Sequence, residues 1–207
     1  LADQLCTTAQ VKARINPAGV SDTVDDTLIS ELIDQVSDWI QHFTGRKLVP
    51  VTSTTWILDT NDGYVLRIPK GVRTVSALGI ASTHQPDTGG TYTTVTAANI
   101  LLRPSTPDLS EGWPPTEIRL SRSQTTFIFH AAENGASITG TFGFAATPPD
   151  IQAVTIDACV AAYQSRKNGA SGVIGAEGDA IVPWVSFFSS GSPQRATLER
   201  YRYIGFG

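Results

Sequence analysis

Leu28, Ile29, Leu32, Ile33, Val36, Trp39, Ile40 and Phe43 recur at intervals of three and four residues, the spacing that lines one face of a helix. The pattern predicts a helix over roughly Asp25–Phe43. Ser21, Asp22 and Thr23 can cap its start, and acids early in the segment complement the positive end of the helix dipole. Thr44-Gly45 ends it, with Gly45 suited to the left-handed position just past a helix, and Arg46 and Lys47 stand beside the negative end. A shorter helix is expected before it. Thr7 or Thr8 can cap that helix, Gln10 stands three residues after Thr7, Val11 and Ile15 follow, and Asn16, Pro17 and Gly19 stop it.

From Val51 to Phe144 the period changes from helical to alternating. Runs rich in Thr, Val and Ile fall at Thr52–Leu58, Tyr64–Ile68, Val72–Ala81, Thr91–Val95, Ile100–Arg103, Thr116–Leu120, Thr126–His130 and Ser137–Phe144. Asn61-Asp62-Gly63 and Asn134-Gly135 read as hairpin turns, and Pro104–Pro107 and Pro114-Pro115 as loops between strands. The segment predicts a mainly antiparallel β module, a small sandwich or barrel.

Helical character returns at Thr147, a candidate cap, with Pro148 and Pro149 in the first turn and Asp150 at the third position. Ile151, Val154, Ala158, Ala161 and Ala162 give one apolar side of this helix, and Ile156, Cys159, Val160 and Tyr163 another. A helix apolar around most of its girth is buried on several sides. Its end is expected near Asn168-Gly169. Gly169–Ser192 then holds five glycines together with the apolar run Ile181–Phe188, an odd pairing for a lone monomer. Ser192-Pro193 opens a short capped helix to about Arg202. The fold class expected is α+β: N- and C-terminal helices form a small bundle, and an antiparallel β module is inserted between them. The boundaries are 1–50, 51–146, 147–168 for the helix completing the bundle, and 169–207 for a flexible loop and terminal arm.

The 207 residues are 41% hydrophobic and 16% charged, with net charge −4, so the chain is globular and lacks the basic surplus of a nucleic-acid wrapper. Cys6 and Cys159 are too few for a disulfide-stapled fold and are expected as free thiols from a reducing cytoplasm. No apolar stretch approaches the length of a membrane span, and Leu1–Cys6 carries Asp3 and no basic region, so neither membrane insertion nor a secretory signal is expected.

Catalytic chemistry is hard to assemble. His42, His84 and His130 stand on a helix, a loop and a strand without a metal or acid–base motif, and no phosphate-binding loop, metalloprotease motif or nucleophile elbow occurs. No cofactor and no metal is expected. Asp22, Asp25, Asp26, Glu31, Asp34 and Asp38 lie between Ser21 and Phe43 with no Lys or Arg among them. Glu31, Asp34 and Asp38 share one helix face, either an ordinary solvated face or an acidic surface that keeps DNA from sticking. Trp184, Phe187 and Phe188 are inter-subunit candidates, with Trp184 divided between an internal latch and an interface. Arg195, Arg200, Tyr201, Arg202, Tyr203 and Phe206 read as a docking peptide, against the alternative of a frayed terminus.

The run Asp25-Asp26-Thr27-Leu28-Ile29-Ser30-Glu31-Leu32-Ile33, closing on Phe43-Thr44-Gly45-Arg46, resembles the tailed-bacteriophage head–tail connector (adaptor) family, as does the short helix before it. Pro149, Asp150, Ile151 and Ala153, with Arg166, resemble that family's later core helix, and Leu198–Arg202 its tail. The β module is a departure from compact members. The resemblance implies a virion neck component assembled in the host cytoplasm: a ring, commonly dodecameric, under the portal protein, with a stopper or tail-completion protein below. Double-stranded DNA would pass through it without sequence-specific binding, and the terminal segment would dock on the portal. Rival readings are a carbohydrate- or host-surface-binding β module, which would cluster Tyr64, Tyr92 and Trp113 on one face, a hydrolase using the acidic set, and another neck or tail completion protein.

Overall fold

The computed structural model describes residues 3–16, 23, 25–68, 70–81, 92–103, 112–121, 127–167 and 187–202. They form two compact units, residues 1–49 with 147–207, and residues 50–146. The α+β class read from the sequence is borne out.

The first unit is helical. α1 (Thr8–Ile15) opens with the reciprocal cap expected: the Thr7 side chain accepts from the Gln10 backbone N–H, and the Gln10 side chain accepts from the Thr7 N–H at 2.8 Å. α2 (Asp26–Thr44) buries Ile29, Leu32, Ile33, Val36, Ser37, Ile40 and Thr44. Gly45 terminates it at φ 64°, ψ 15°, where its N–H returns to the Gln41 and His42 carbonyls. Ahead of α1 the chain is strapped along α2. The Leu5 N–H donates to Ser37 Oγ at 3.0 Å, and Gln41 Nε2 donates to the Asp3 carbonyl at 3.1 Å. The first of these bonds gives the Ser37 hydroxyl a partner inside an apolar stripe, where an unpaired hydroxyl would be costly.

α3 (Pro149–Lys167) packs against α1, α2 and α4 (Pro193–Tyr201). Ile151, Val154, Ala158, Cys159, Ala162 and Tyr163 are buried by these neighbours, whereas Ile156, Val160 and Ala161, part of the apolar girth expected to be buried, are half-buried. The small side chains at 158, 159 and 162 suit close approach by several neighbours. α4 is capped by Ser192, whose side chain accepts from the Arg195 N–H at 3.1 Å, and it buries Leu198 and Tyr201.

The second unit is a β-sandwich. Strands β1 (Val51–Thr60), β7 (Ala132–Phe142), β3 (Val72–Ala81) and β4 (Tyr92–Val95) form one sheet in that order. A second sheet has the order β2 (Val65–Arg67), β6 (Glu117–Leu120), β5 (Ile100–Arg103). All pairings are antiparallel. The shared core takes Leu78, Ile80, Val95, Ala136, Ile138 and Phe142 from the first sheet and Leu66, Ile118 and Leu120 from the second. Trp56 of β1 stacks on Phe142 with ring centroids 3.7 Å apart.

Three local expectations fail here. Asn61-Asp62-Gly63 is not a hairpin turn, because β1 pairs with β7 while β2 pairs with β6; the turn carries the chain from one sheet to the other. Asn134-Gly135 lies inside β7. Opposite it the register jumps from Leu58↔Ala136 to Thr60↔Ala132, so the pair forms a bulge. Asn134 takes the left-handed conformation at φ 52°, and its N–H donates to Asp59 Oδ1 at 2.9 Å. Gly135 is packed so closely on Thr60 that a Cβ there would collide with the threonine side chain. The expected strand Thr126–His130 reduces, in its described part, to a single bridge between Phe129 and Gly63.

Candidate functional site

α2 sets one candidate surface. Its buried stripe leaves Glu31 and Asp38 exposed and Asp34 half-buried on the opposite side. Asp34 Oδ1 accepts from Gln4 Nε2 at 2.9 Å, and the same amide donates to Ser30 at 3.2 Å. The neighbouring acids are used differently. Asp25 pairs with Lys167 at 3.8 Å and accepts from the Tyr163 hydroxyl, and Asp26 pairs with Lys12. The cations missing from the helix's own sequence are thus supplied by α1 and α3 at its first turn. Glu31, Asp34 and Asp38 remain as the negatively charged stretch further along.

The C-terminal candidates fall into three groups. Tyr201 is buried, and its hydroxyl donates to Asp150 at 2.8 and 3.0 Å. Burial first, then the Asp150 carboxylate, pushes the phenol's pKa well up, so it stays a neutral donor. Phe188 is buried too. It stacks on Trp39 at 4.5 Å, Trp39 stacks on Phe43 at 5.3 Å, and Phe187 meets Phe188 edge-on at 5.4 Å. Arg195 and Arg202 lie over the Phe43 ring at 5.3 and 5.7 Å, with Arg195 also bonded to Glu199 at 3.0 Å. The sequence reading put Tyr201 and Phe188 at interfaces. The structure packs both in the unit's own core, because an aromatic column along α2 gives residues 187–202 a home within the chain. Arg200 and Arg202 are exposed. Trp184, Tyr203 and Phe206 lie outside the described residues.

The aromatics that would mark a carbohydrate-binding face are not brought together. Tyr64 packs against the sandwich core, Tyr92 donates from β4 to the Asn134 carbonyl at 2.9 Å, and Trp113 sits edge-on to Phe144 at 5.5 Å. Cys6 and Cys159 are free and buried. The Cys159 thiol is held protonated by its hydrogen bond to Cys6 and by burial. No group of His, Cys, Asp and Glu able to hold a metal occurs among the described residues. Hollows of about 230 and 360 Å³ in the helical unit contain one carboxylate each, Asp25 and Asp157, and Arg14 pairs with Asp157 at 3.0 Å. Glycoside hydrolysis by a carboxyl pair needs two such groups across a cleft in unlike environments, and each of these hollows has one. A surface the residue reading passed over is the outer face of the β2–β6–β5 sheet, where Arg67, Arg103 and Arg119 gather.

Among the described residues the structure shows two cored units, an acidic face on α2, and an outer sheet face where arginines and apolar side chains alternate. Residues 8–85 match the family of phage gp6-like head–tail connector proteins. The matched segment is somewhat over a third of the chain and takes in the acidic-apolar run and the Phe43–Arg46 closure in which the sequence resembles that family. The match runs on through β1, β2 and β3 and ends before β4. A chain of the native gene transfer agent virion shares the fold at TM-score 0.58 and 19% identity, covering 97% of this chain and 90% of that one. A chain of the neck of the empty gene transfer agent particle does so at TM-score 0.56 and 18% identity, with the same coverage. Among proteins of curated function, none matches.

Proposed function

We propose that this protein is a ring-forming adaptor of a virion neck, seated under a portal protein and continuing the DNA channel toward a stopper or tail-completion protein. The observation that carries the channel reading is the face of α2 bearing Glu31, Asp34 and Asp38, opposite the stripe that anchors the helix in its unit. A lining of carboxylates repels phosphates and lets duplex DNA slide, whereas a basic lining would hold it in a salt-dependent grip. Twelve copies is the stoichiometry favoured. The neck structures sharing the fold were treated with C6 and C12 symmetry, and a twelvefold ring contains the sixfold one.

Residues beyond α4 are the portal-docking arm in this reading, with exposed Arg200 and Arg202 at its root. α4 itself serves as the anchor, since Leu198 and Tyr201 are committed to the core.

The channel reading is tested with Glu31→Lys and Asp38→Lys together, both at exposed positions. The variant should fold and enter particles normally but deliver DNA poorly. Normal delivery by particles carrying it would end the channel assignment. Removing residues 203–207, with Leu198 and Tyr201 of α4 kept, tests the arm, and undiminished portal binding would end that assignment.

A further inference from the structure

The register of the smaller sheet sorts its side chains into rows. Leu66, Ile118 and Leu102 make the row facing the sandwich core. On the outer face one row is Arg67, Glu117, Arg103 and the next is Val65, Arg119, Leu101. Val65 and Leu101 are 39% and 42% exposed, and with Ile57 they are the exposed large hydrophobics among the described residues. Glu117 is shared between two guanidinium groups, at 3.0 Å from Arg119 and 4.0 Å from Arg67. The six-residue face therefore carries net +2 from three arginines and one glutamate. A hollow of about 380 Å³ bordered by Val65, Arg67, Glu117, Arg119, Asp59 and Asn61 opens beside it. Arginine interleaved with exposed apolar side chains is the composition of an interface centre.

We propose that this face is where one copy of the chain seats against the next, meeting an acidic surface of its neighbour. The inference rests on the ring reading above and names the surface that builds the ring. Charge points to a second copy: the chain totals −4 and this face holds +2, so the rest of the sequence holds −6. Charge also fixes the kind of contact. A twofold contact of the face with itself would set +2 against +2, so the face must meet a different one. Contacts between unlike faces are those that close into rings. A DNA backbone would engage the arginines but leave Val65 and Leu101 in water, so a protein surface fits the whole face better.

The test compares the full-length wild-type chain with Arg103→Glu/Arg119→Glu and with Val65→Ser/Leu101→Ser, each alone and mixed with portal rings, by native mass spectrometry and sedimentation. Near-UV circular dichroism reports whether the sandwich is intact. Wild type should form closed rings. Both variants should stay folded, with association between copies weakened about thirtyfold or more, as for loss of an interface hot spot. If wild type forms rings and either folded variant forms them equally well, the inference is overturned and the ring reading stands. If wild type forms no ring even on the portal, the ring reading fails and takes the inference with it. If the variants keep the ring but lose bound DNA or a different neck protein, the face belongs to that occupant and the inference is likewise overturned. The serine pair covers the case in which charge reversal alone disturbs the fold.

Discussion

Tyr201 closes α4 with its ring buried and its hydroxyl donating to both oxygens of Asp150. Its pKa is raised in the folded chain, by burial first and by Asp150 next. Once the pH passes about 10, an unfolded tyrosine loses its proton while the folded one keeps it. The unfolded state then binds fewer protons, and stability falls as pH rises through that range. Tyr201→Phe should cost about 1 kcal/mol near neutrality for the lost hydrogen bond and should flatten the alkaline decline; urea midpoints across pH measure both. Phe188 offers a blunter check. Its ring is 2% exposed and stacked on Trp39, so Phe188→Ala should destabilise the chain by about 3–5 kcal/mol. An unaltered urea midpoint would return Phe188 to the surface role that its glycine-rich neighbourhood suggests. That neighbourhood explains why the residue was hard to place from sequence. Composition marks a segment as apolar and flexible, but the partner ring, Trp39, stands far away in the chain, and no local signal connects the two.

Elements were more legible than their partners. α2 ends where Gly45 ends it, because the signal is local: a positive φ of 64° is a conformation only glycine adopts without strain. Gly45→Ala should therefore cost about 1 kcal/mol, read from the urea midpoint, while leaving the helical circular dichroism of the folded state intact. The capping box at Thr7 was legible for the same reason. Strands β3 and β5 are also found where alternation puts them, at Val72–Ala81 and Ile100–Arg103. Alternation, however, fixes which side chains share a face and says nothing about which strand lies alongside. Asn61–Gly63 and Asn134-Gly135 have the chemistry of a tight turn, yet one crosses between sheets and the other makes a bulge. Both need residues able to take left-handed or crowded backbone, so identical local chemistry serves different topologies. The arginine face was hidden by the same gap. Residues 65 and 67, 101 and 103, and 117 and 119 each alternate outward, but only the pairing β2-β6-β5 sets them side by side.

At the scale of the chain, the sandwich is closed on itself. Its first and last strands are neighbours: Val51 is paired with Phe142, so the chain enters and leaves the module at adjacent positions, with paired Cα atoms about 5 Å apart. Its buried cluster, from Leu66 to Phe142, draws on the module's own strands and the bridge at Phe129. A unit with adjacent ends and its own core has what an independently folding domain requires. Residues 50–146 expressed alone should therefore fold, giving a single cooperative melting transition and the near-UV signal of Trp56 stacked on Phe142. A broad, non-cooperative melt without that signal would mean that the sheets borrow stability from the helical unit. Cooperative folding would also make the module a direct reagent for its outer face. Soluble copies of residues 50–146 should then compete with full-length chains for the neighbour's acidic surface and slow ring growth as they are added. A module carrying Arg103→Glu and Arg119→Glu should compete far less if the proposed face makes the contact, because the sandwich would remain while the charge of that face is reversed.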